Sequence, residues 1–158
     1  MDVRLRLVEP SDMETLFAHQ LERDATRMAA FTSENPSDRA AFEAHWARIL
    51  GNPEIVVRTI TLAEDGAVVG HVASFMRGDE REVTYWIGRD HWGRGIATAA
   101  LRLLLEEVGE RPLHARAAKD NIASVRVLEK CGFRLVGYER GFANARQQEI
   151  EEAVFVLE

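Results

Sequence analysis

The sequence predicts an α+β fold: a mixed, mostly antiparallel sheet flanked by four helices. Three observations carry this. Strand-length runs and helical-period runs follow one another as β-α-α-β-β-β-α-β-α-β-β. Asp65-Gly66 sits between two β-branched runs, the strongest short-range sign of an antiparallel hairpin. The continuous run Val83-Thr84-Tyr85-Trp86-Ile87 reads as a central strand covered on both faces. At 158 residues the chain falls within the ~100–200 of one domain, so 1–158 is expected to form a single unit. Hydrophobic residues at 46% and charged residues at 29% exclude disordered and collagen-like classes.

Val3 to Glu9 alternates with period two, the pattern of a strand covered on one face. Pro10-Ser11-Asp12 then offers a turn and an N-cap to a helix with Met13, Leu16, Phe17 and Leu21 on one side. Phe31 to Ser37 is polar loop. A second helix carries Phe42, Trp46, Ile49 and Leu50 and stops at Gly51-Asn52-Pro53. Ile55 to Ala63 and Ala67 to Met76 are the hairpin strands, and Gly78-Asp79-Glu80 turns the chain into the strand over 83–87. The third helix keeps Ile96, Ala97, Ala100, Leu101, Leu104 and Val108 on one face and closes at Gly109. Leu113 to Ala118 is a strand. Asn121 caps a fourth helix with Ile122, Val125, Leu128 and Cys131 inward and Gly132 at its end. Leu135 to Phe142 and Ile150 to Leu157 are two last strands joined by the polar turn Asn144 to Gln148.

Composition narrows the chemistry. The lone Cys131 excludes an internal disulfide, a redox pair and a cysteine-rich zinc site. The five histidines lack the i, i+4 spacing of a helical metal site, so no metal is expected. A net charge of −6 and a pI near 5.4 argue against nucleic acid or an acidic membrane and suit a cationic substrate. The N-terminus has no signal-like apolar core and no stretch reaches the ~18 apolar residues of a membrane span, so a cytoplasmic protein is expected.

The chemistry concentrates in Trp92-Gly93-Arg94-Gly95-Ile96-Ala97-Thr98. Glycines between a buried strand and a helix let the backbone approach a ligand, and the first helical N–H groups have no internal partner. Such a turn is an anion site, with Arg94 adding a fork of donors. A phosphate-binding P-loop would need a lysine followed by serine or threonine, which is missing. A dinucleotide fingerprint would need a third glycine where Thr98 stands and an acidic residue about twenty positions on, where Ala115 and Arg116 fall. A nicotinamide-dependent oxidoreductase is therefore a weaker alternative. The remaining anion is the pyrophosphate of coenzyme A.

Trp92-Gly93-Arg94-Gly95-Ile96-Ala97 resembles the Q/R-x-x-G-x-G/A signature of the GNAT superfamily of N-acetyltransferases. Its W-G-x-G-x-A-T form is similar to the ribosomal-protein N-terminal (serine/alanine) acetyltransferase branch. Asn121 through Phe133 is similar to the same family's N-x-x-S-x-x-x-x-E-K-x-G-F segment. Trp92 departs from the family pattern by standing at the glutamine or arginine position. The resemblance implies a splay between the parallel strands over 83–87 and 113–118, with acetyl-CoA, the acetyl donor, in the gap. Pantetheine would run along Trp86, Ile87 and Gly88. The pyrophosphate would sit on the N–H groups of Trp92, Gly93, Arg94, Gly95, Ile96, Ala97 and Thr98. A backbone N–H of the central strand would serve as oxyanion donor.

The implied reaction is acetyl transfer to a primary amine, at a protein N-terminus or on a small molecule. An attacking amine must lose a proton and the leaving thiolate benefits from a donor. The resemblance points to Ser124 toward the thiolate, Asn121 on the pantetheine and Glu82 as base. Tyr138 and His71 are second choices for acid and base. Asn121 and Ser124 also satisfy ordinary helix capping, and Glu82 also fits a solvated strand-edge carboxylate. A non-catalytic acyl-CoA-binding module of the same fold is the alternative, and the chain is expected to be a monomer or homodimer. Acceptor choice is expected to lie in the loop around Phe31 to Ser37 and in the last hairpin turn.

Overall fold

The computed structural model describes residues 2–158. Its strands are β1 (Val3–Arg6), β2 (Val56–Leu62), β3 (Val68–Arg77), β4 (Glu80–Ile87), β5 (Leu113–Ala118), β6 (Arg134–Ala143) and β7 (Gln148–Leu157). Its α-helices are α1 (Met13–Leu21), α2 (Arg23–Ala29), α3 (Arg39–Gly51), α4 (Ile96–Glu107) and α5 (Ile122–Lys130). The strands form one sheet in the order β1-β2-β3-β4-β5-β7-β6. Every pairing is antiparallel except β4 with β5.

Period-two alternation decides which side chains meet which layer. Val72, Val83, Ile87, Leu113, Ala115 and Phe155 face α4 and α5, whose Ile96, Ala100, Leu101, Leu104 and Leu128 complete the larger core. On the other face Val57 and Ala73 pack against Leu16 of α1 and Phe42 and Trp46 of α3. A small patch of Ala30, Ala118 and Ala143 seats the end of α2 beside β5 and the β6–β7 hairpin.

Among the described residues five α-helices flank the sheet rather than four. The additional one is α2, whose N-cap is Glu22, its carboxylate accepting from Ala25 N at 2.7 Å. Glutamate is not among the favoured caps, and a helix of seven residues shows almost no periodicity. Asp12 does not cap α1 with its side chain. Its carboxylate, 2% exposed, instead accepts from Arg6 at 2.8 and 2.9 Å, Glu9 N at 2.9 Å and the Thr59 hydroxyl at 2.7 Å. Burial alone would raise its pKa, yet these four donors together hold it below the ordinary value. Ile122, expected inward, faces solvent and is 54% exposed, whereas Val125, Leu128 and Cys131 pack on the larger core. β4 begins at Glu80, three residues before the apolar run, and so brings Glu82 inside the strand.

Candidate active site

β3 pairs with β4 along its whole length, whereas β5 matches β4 only at Arg81↔Leu113 and Glu82↔His114. Past Glu82 the two parallel strands separate. Gly88 N donates to Val69 O at 2.8 Å, so alternation along an antiparallel ladder points the backbone groups of Trp86 and Thr84 at β3, while the Gly88 carbonyl accepts from His91 N at 2.9 Å. Those of Tyr85 and Ile87 point into the gap. The Ile87 carbonyl accepts from Trp92 Nε1 at 2.9 Å, which leaves Tyr85 N–H, Tyr85 C=O and Ile87 N–H along the open edge. Of the three residues expected to meet pantetheine, Ile87 thus turns backbone toward the gap; Trp86 turns its backbone to β3, and Gly88 commits its N–H to Val69 O and its carbonyl to His91 N.

The gap leads to the start of α4. Gly93 and Gly95 have φ of +78° and +75°, and a Cβ on either would meet no heavy atom within 4 Å. The turn is left-handed and open on its outer side, where a bulky anion fits. Gly95 caps α4 without a side-chain hydrogen bond, so the N–H groups of Ile96, Ala97 and Thr98 have no intrahelical partner. Trp92, Gly93, Arg94 and Gly95 are exposed. Arg89 stacks on the Trp92 ring at 4.6 Å and steadies this turn.

Glu82 and Tyr85 stand on opposite faces of β4. Glu82 is 5% exposed, with Oε1 3.1 Å from Arg77 Nε and 3.4 Å from Arg116 Nε. Arg116 also reaches Glu139 at 2.5 Å and Glu152 at 3.2 Å, tying β4, β5, β6 and β7 together. Burial pushes the Glu82 carboxyl above its ordinary pKa, against the opposing pull of Arg77 and Arg116. A raised pKa makes this carboxylate a stronger proton acceptor than an ordinary one.

On the other face the Tyr85 hydroxyl lies 2.6 Å from Ser124 Oγ. Burial pushes the Tyr85 phenol up to about 12. Ser124 is the third residue of α5, and its N–H donates to Asn121 Oδ1 at 3.2 Å. Asn121 Nδ2 donates to Met28 O at 3.4 Å, so the side chain caps α5 with its oxygen and reaches α2 with its nitrogen. Tyr85, Arg77 and Arg116 were not marked by any motif. The run of β-rich residues placed Tyr85 in a strand, yet its partner stands 39 positions away.

Tyr138 lies on the edge strand β6, two strands beyond β5, 47% exposed under the Lys119 ammonium at 4.7 Å. The structure does not bring it to the gap. His71 pairs with Trp86 at the far end of β4 from Glu82 and packs edge-on against Trp46 at 5.0 Å. Burial pushes its pKa down to about 4, so it is neutral at pH 7. The loop after α2 and the β6–β7 turn meet on the Glu82 face: Asn144 Nδ2 donates to Thr32 O at 2.7 Å, Ala145 N to Ala30 O at 3.1 Å and Arg146 Nε to Arg27 O at 2.9 Å. Cys131 is half-buried at the end of α5, its thiol raised by burial and not activated.

Parallel strands β4 and β5 part beside an open glycine turn, and solved structures share the overall fold that carries them. RimJ of Mycobacterium smegmatis, in complex with CoA-disulfide, superposes with a TM-score of 0.82 over 98% of this chain and 81% of that one, at 21% identity. The family model described as "Acetyltransferase (GNAT) domain" matches residues 2–134, and the chain belongs to this family of N-acetyltransferases. YdaF of Bacillus subtilis (strain 168), whose name gives it a provisional ribosomal N-acetyltransferase role, is 30% identical over 87% of this chain and 81% of its own. The uncharacterized N-acetyltransferase p20 of Bacillus licheniformis is 26% identical over 63% of this chain, and that match spans 60% of p20. No helix among the described residues is long and apolar enough to cross a membrane.

Proposed function

We propose that the protein moves an acetyl group from acetyl-CoA directly to a primary amine, at a protein N-terminus or on a small molecule, through a tetrahedral intermediate. The observation that carries this is the open edge of β4 beyond Glu82, which runs to the uncapped, glycine-opened start of α4. That edge and that turn fit the two ends of the donor: backbone groups for an amide-bearing arm, free N–H groups and Arg94 for a diphosphate. Bound there, acetyl-CoA supplies an activated thioester carbonyl.

The chain's own groups fall on the two sides of the gap. The Tyr85 and Ile87 N–H groups are the donors available for the developing oxyanion. Glu82, on the face where the loop after α2 meets the β6–β7 turn, takes the amine proton, directly or through water. Ser124, on the opposite face, donates a hydrogen bond to the leaving sulfur. Amine entry and thiol departure thus take place on opposite faces of the sheet. No covalent enzyme intermediate is needed, in keeping with an unactivated Cys131.

The test is thermal unfolding with excess acetyl-CoA, coenzyme A, NAD or ATP, followed by thiol release with a panel of amines. A ligand at about 100 times its Kd adds ~2.7 kcal/mol, a rise of roughly 5–10 °C for a chain of this size. A shift with acetyl-CoA and not NAD, followed by amine-dependent thiol release, is expected. A shift with NAD alone overturns the reading, and acetyl-CoA binding with no transfer to any amine leaves a binding module.

A further inference from the structure

Resting on that reading of Ser124, we infer that Tyr85 is a positioning residue for the departure of the thiol: its buried hydroxyl fixes the Ser124 hydroxyl so that the serine hydrogen is turned to the sulfur. A serine hydroxyl carries one hydrogen and rotates freely. Left alone it has no reason to aim at a thiolate that exists only late in the reaction. In this protein Oγ sits 2.6 Å from the Tyr85 hydroxyl, and the Ser124 N–H is committed to Asn121. A phenol is more acidic than an aliphatic alcohol and is the better donor, so Tyr85 O–H donates to Ser124 Oγ. The serine hydrogen is then left over for another acceptor.

Burial keeps Tyr85 protonated, with a pKa of about 12, so the donor persists throughout the working pH range. The arrangement also strengthens Ser124, because a hydroxyl that accepts a hydrogen bond becomes a stronger donor itself. Tyr85 is suited to this task by its place: its backbone lines the open edge of β4 while its side chain reaches α5. The hydroxyl pair therefore stands on the sheet face opposite Glu82, on the side assigned to the leaving group.

The step balances without a proton leaving Tyr85. The amine nitrogen bonds to the thioester carbon, the C=O re-forms, and the C–S bond breaks with both electrons going to sulfur. Ser124 stabilises that thiolate by a hydrogen bond and keeps its proton. The proton released by the amine passes to Glu82 and to water, and the thiolate takes one from water.

The experiment is a double-mutant cycle of Tyr85→Phe and Ser124→Ala, read as kcat, KM for acetyl-CoA and the acetyl-CoA-induced unfolding shift. Tyr85→Phe is expected to lower kcat about tenfold, the scale of one hydrogen bond, while KM and the unfolding shift stay within about twofold. In the Ser124→Ala background Tyr85→Phe should have no further effect, whereas a packing role would persist there. Ser124→Thr, which keeps the hydroxyl, should retain sensitivity to Tyr85→Phe. Full kcat in Tyr85→Phe, or an equal tenfold loss in the Ser124→Ala background, overturns the inference alone. Transfer unaffected by Ser124→Ala overturns the role of Ser124 and this inference with it. Absence of any transfer by the unaltered protein overturns the proposed function itself.

Discussion

Replacing Glu82 with glutamine separates chemistry from stability at one atom. The carboxylate is 5% exposed, and burial outweighs Arg77 and Arg116 to raise its pKa. An acid with a raised folded pKa contributes its full stability below the unfolded value and loses it as pH rises through the folded value. At pH 7 the charge of Glu82 is thus a net cost, and a neutral isostere relieves it. In Glu82→Gln the amide keeps an oxygen for Arg77 and Arg116, and Arg116 retains Glu139 and Glu152. The unfolding midpoint should therefore stay level or rise, and the acetyl-CoA-induced shift should persist. Turnover should fall about 10²–10⁴-fold, the usual worth of a general base, or about 2.7–5.5 kcal/mol of transition-state stabilisation. The assay is thiol release at saturating acetyl-CoA beside thermal unfolding with and without it. Turnover within threefold of the unaltered protein would refute the base assignment. A midpoint lowered by about 5 °C or more, roughly 1–2 kcal/mol at this size, would refute the electrostatic argument.

Three further outcomes follow from the same geometry. Arg116→Met removes a cation that lowers the Glu82 pKa, so the acid limb of kcat/KM against pH should move upward; an unmoved limb counts against Glu82 as the titrating group. Gly95→Trp places a large side chain at φ +75° in open space, costing about 1–2 kcal/mol of strain but leaving the fold; it should abolish the acetyl-CoA-induced unfolding shift, and a normal shift would sink the phosphate site. Asp12→Ala strips Arg6, the Glu9 amide and the Thr59 hydroxyl of their acceptor and should cost about 2–4 kcal/mol, read in urea unfolding. Since Asp12 is depressed when folded, its contribution is present above the ordinary aspartate value of about 3.9 and is lost as pH falls through the lower folded value. The midpoint gap between Asp12→Ala and the unaltered protein should accordingly close in acid.

Features written in short-range chemistry were legible in the chain. Asp65-Gly66 predicted the β2–β3 hairpin, although the connection is a longer loop than a two-residue turn, closed by Leu62 N donating to Ala67 O and Gly66 N to Leu62 O, with Gly66 at φ +75° supplying the left-handed residue. Gly93 and Gly95 predicted a turn that a ligand can approach closely, which the structure makes left-handed, and Asn121 predicted a helix cap, each within a few residues of its partner. Helix α2 escaped because it spans seven residues and is capped by a glutamate. Its place is set by Ala30 packing on Ala118 and Ala143, contacts that no local pattern announces.

The sequence by itself determined the order of elements, the glycine turn at the start of α4 and the Asn121 segment, since each depends on residues close along the chain. Only the tertiary structure decided what Asp12, Glu82 and Tyr85 do. Asp12 reads locally as a cap, and becomes the acceptor for Arg6 and Thr59 because β1 pairs with β2. Glu82 reads as an edge carboxylate, and is buried between Arg77 and Arg116 because β3 turns back on β4 and β5 lies alongside. Tyr85 reads as one more β-forming aromatic, and meets Ser124 because β5 parts from β4 and lets α5 approach the gap. Each outcome rests on a partner brought near by chain reversal or strand pairing. Hydrogen bonds and desolvation act over a few ångströms of space and take no account of separation along the sequence.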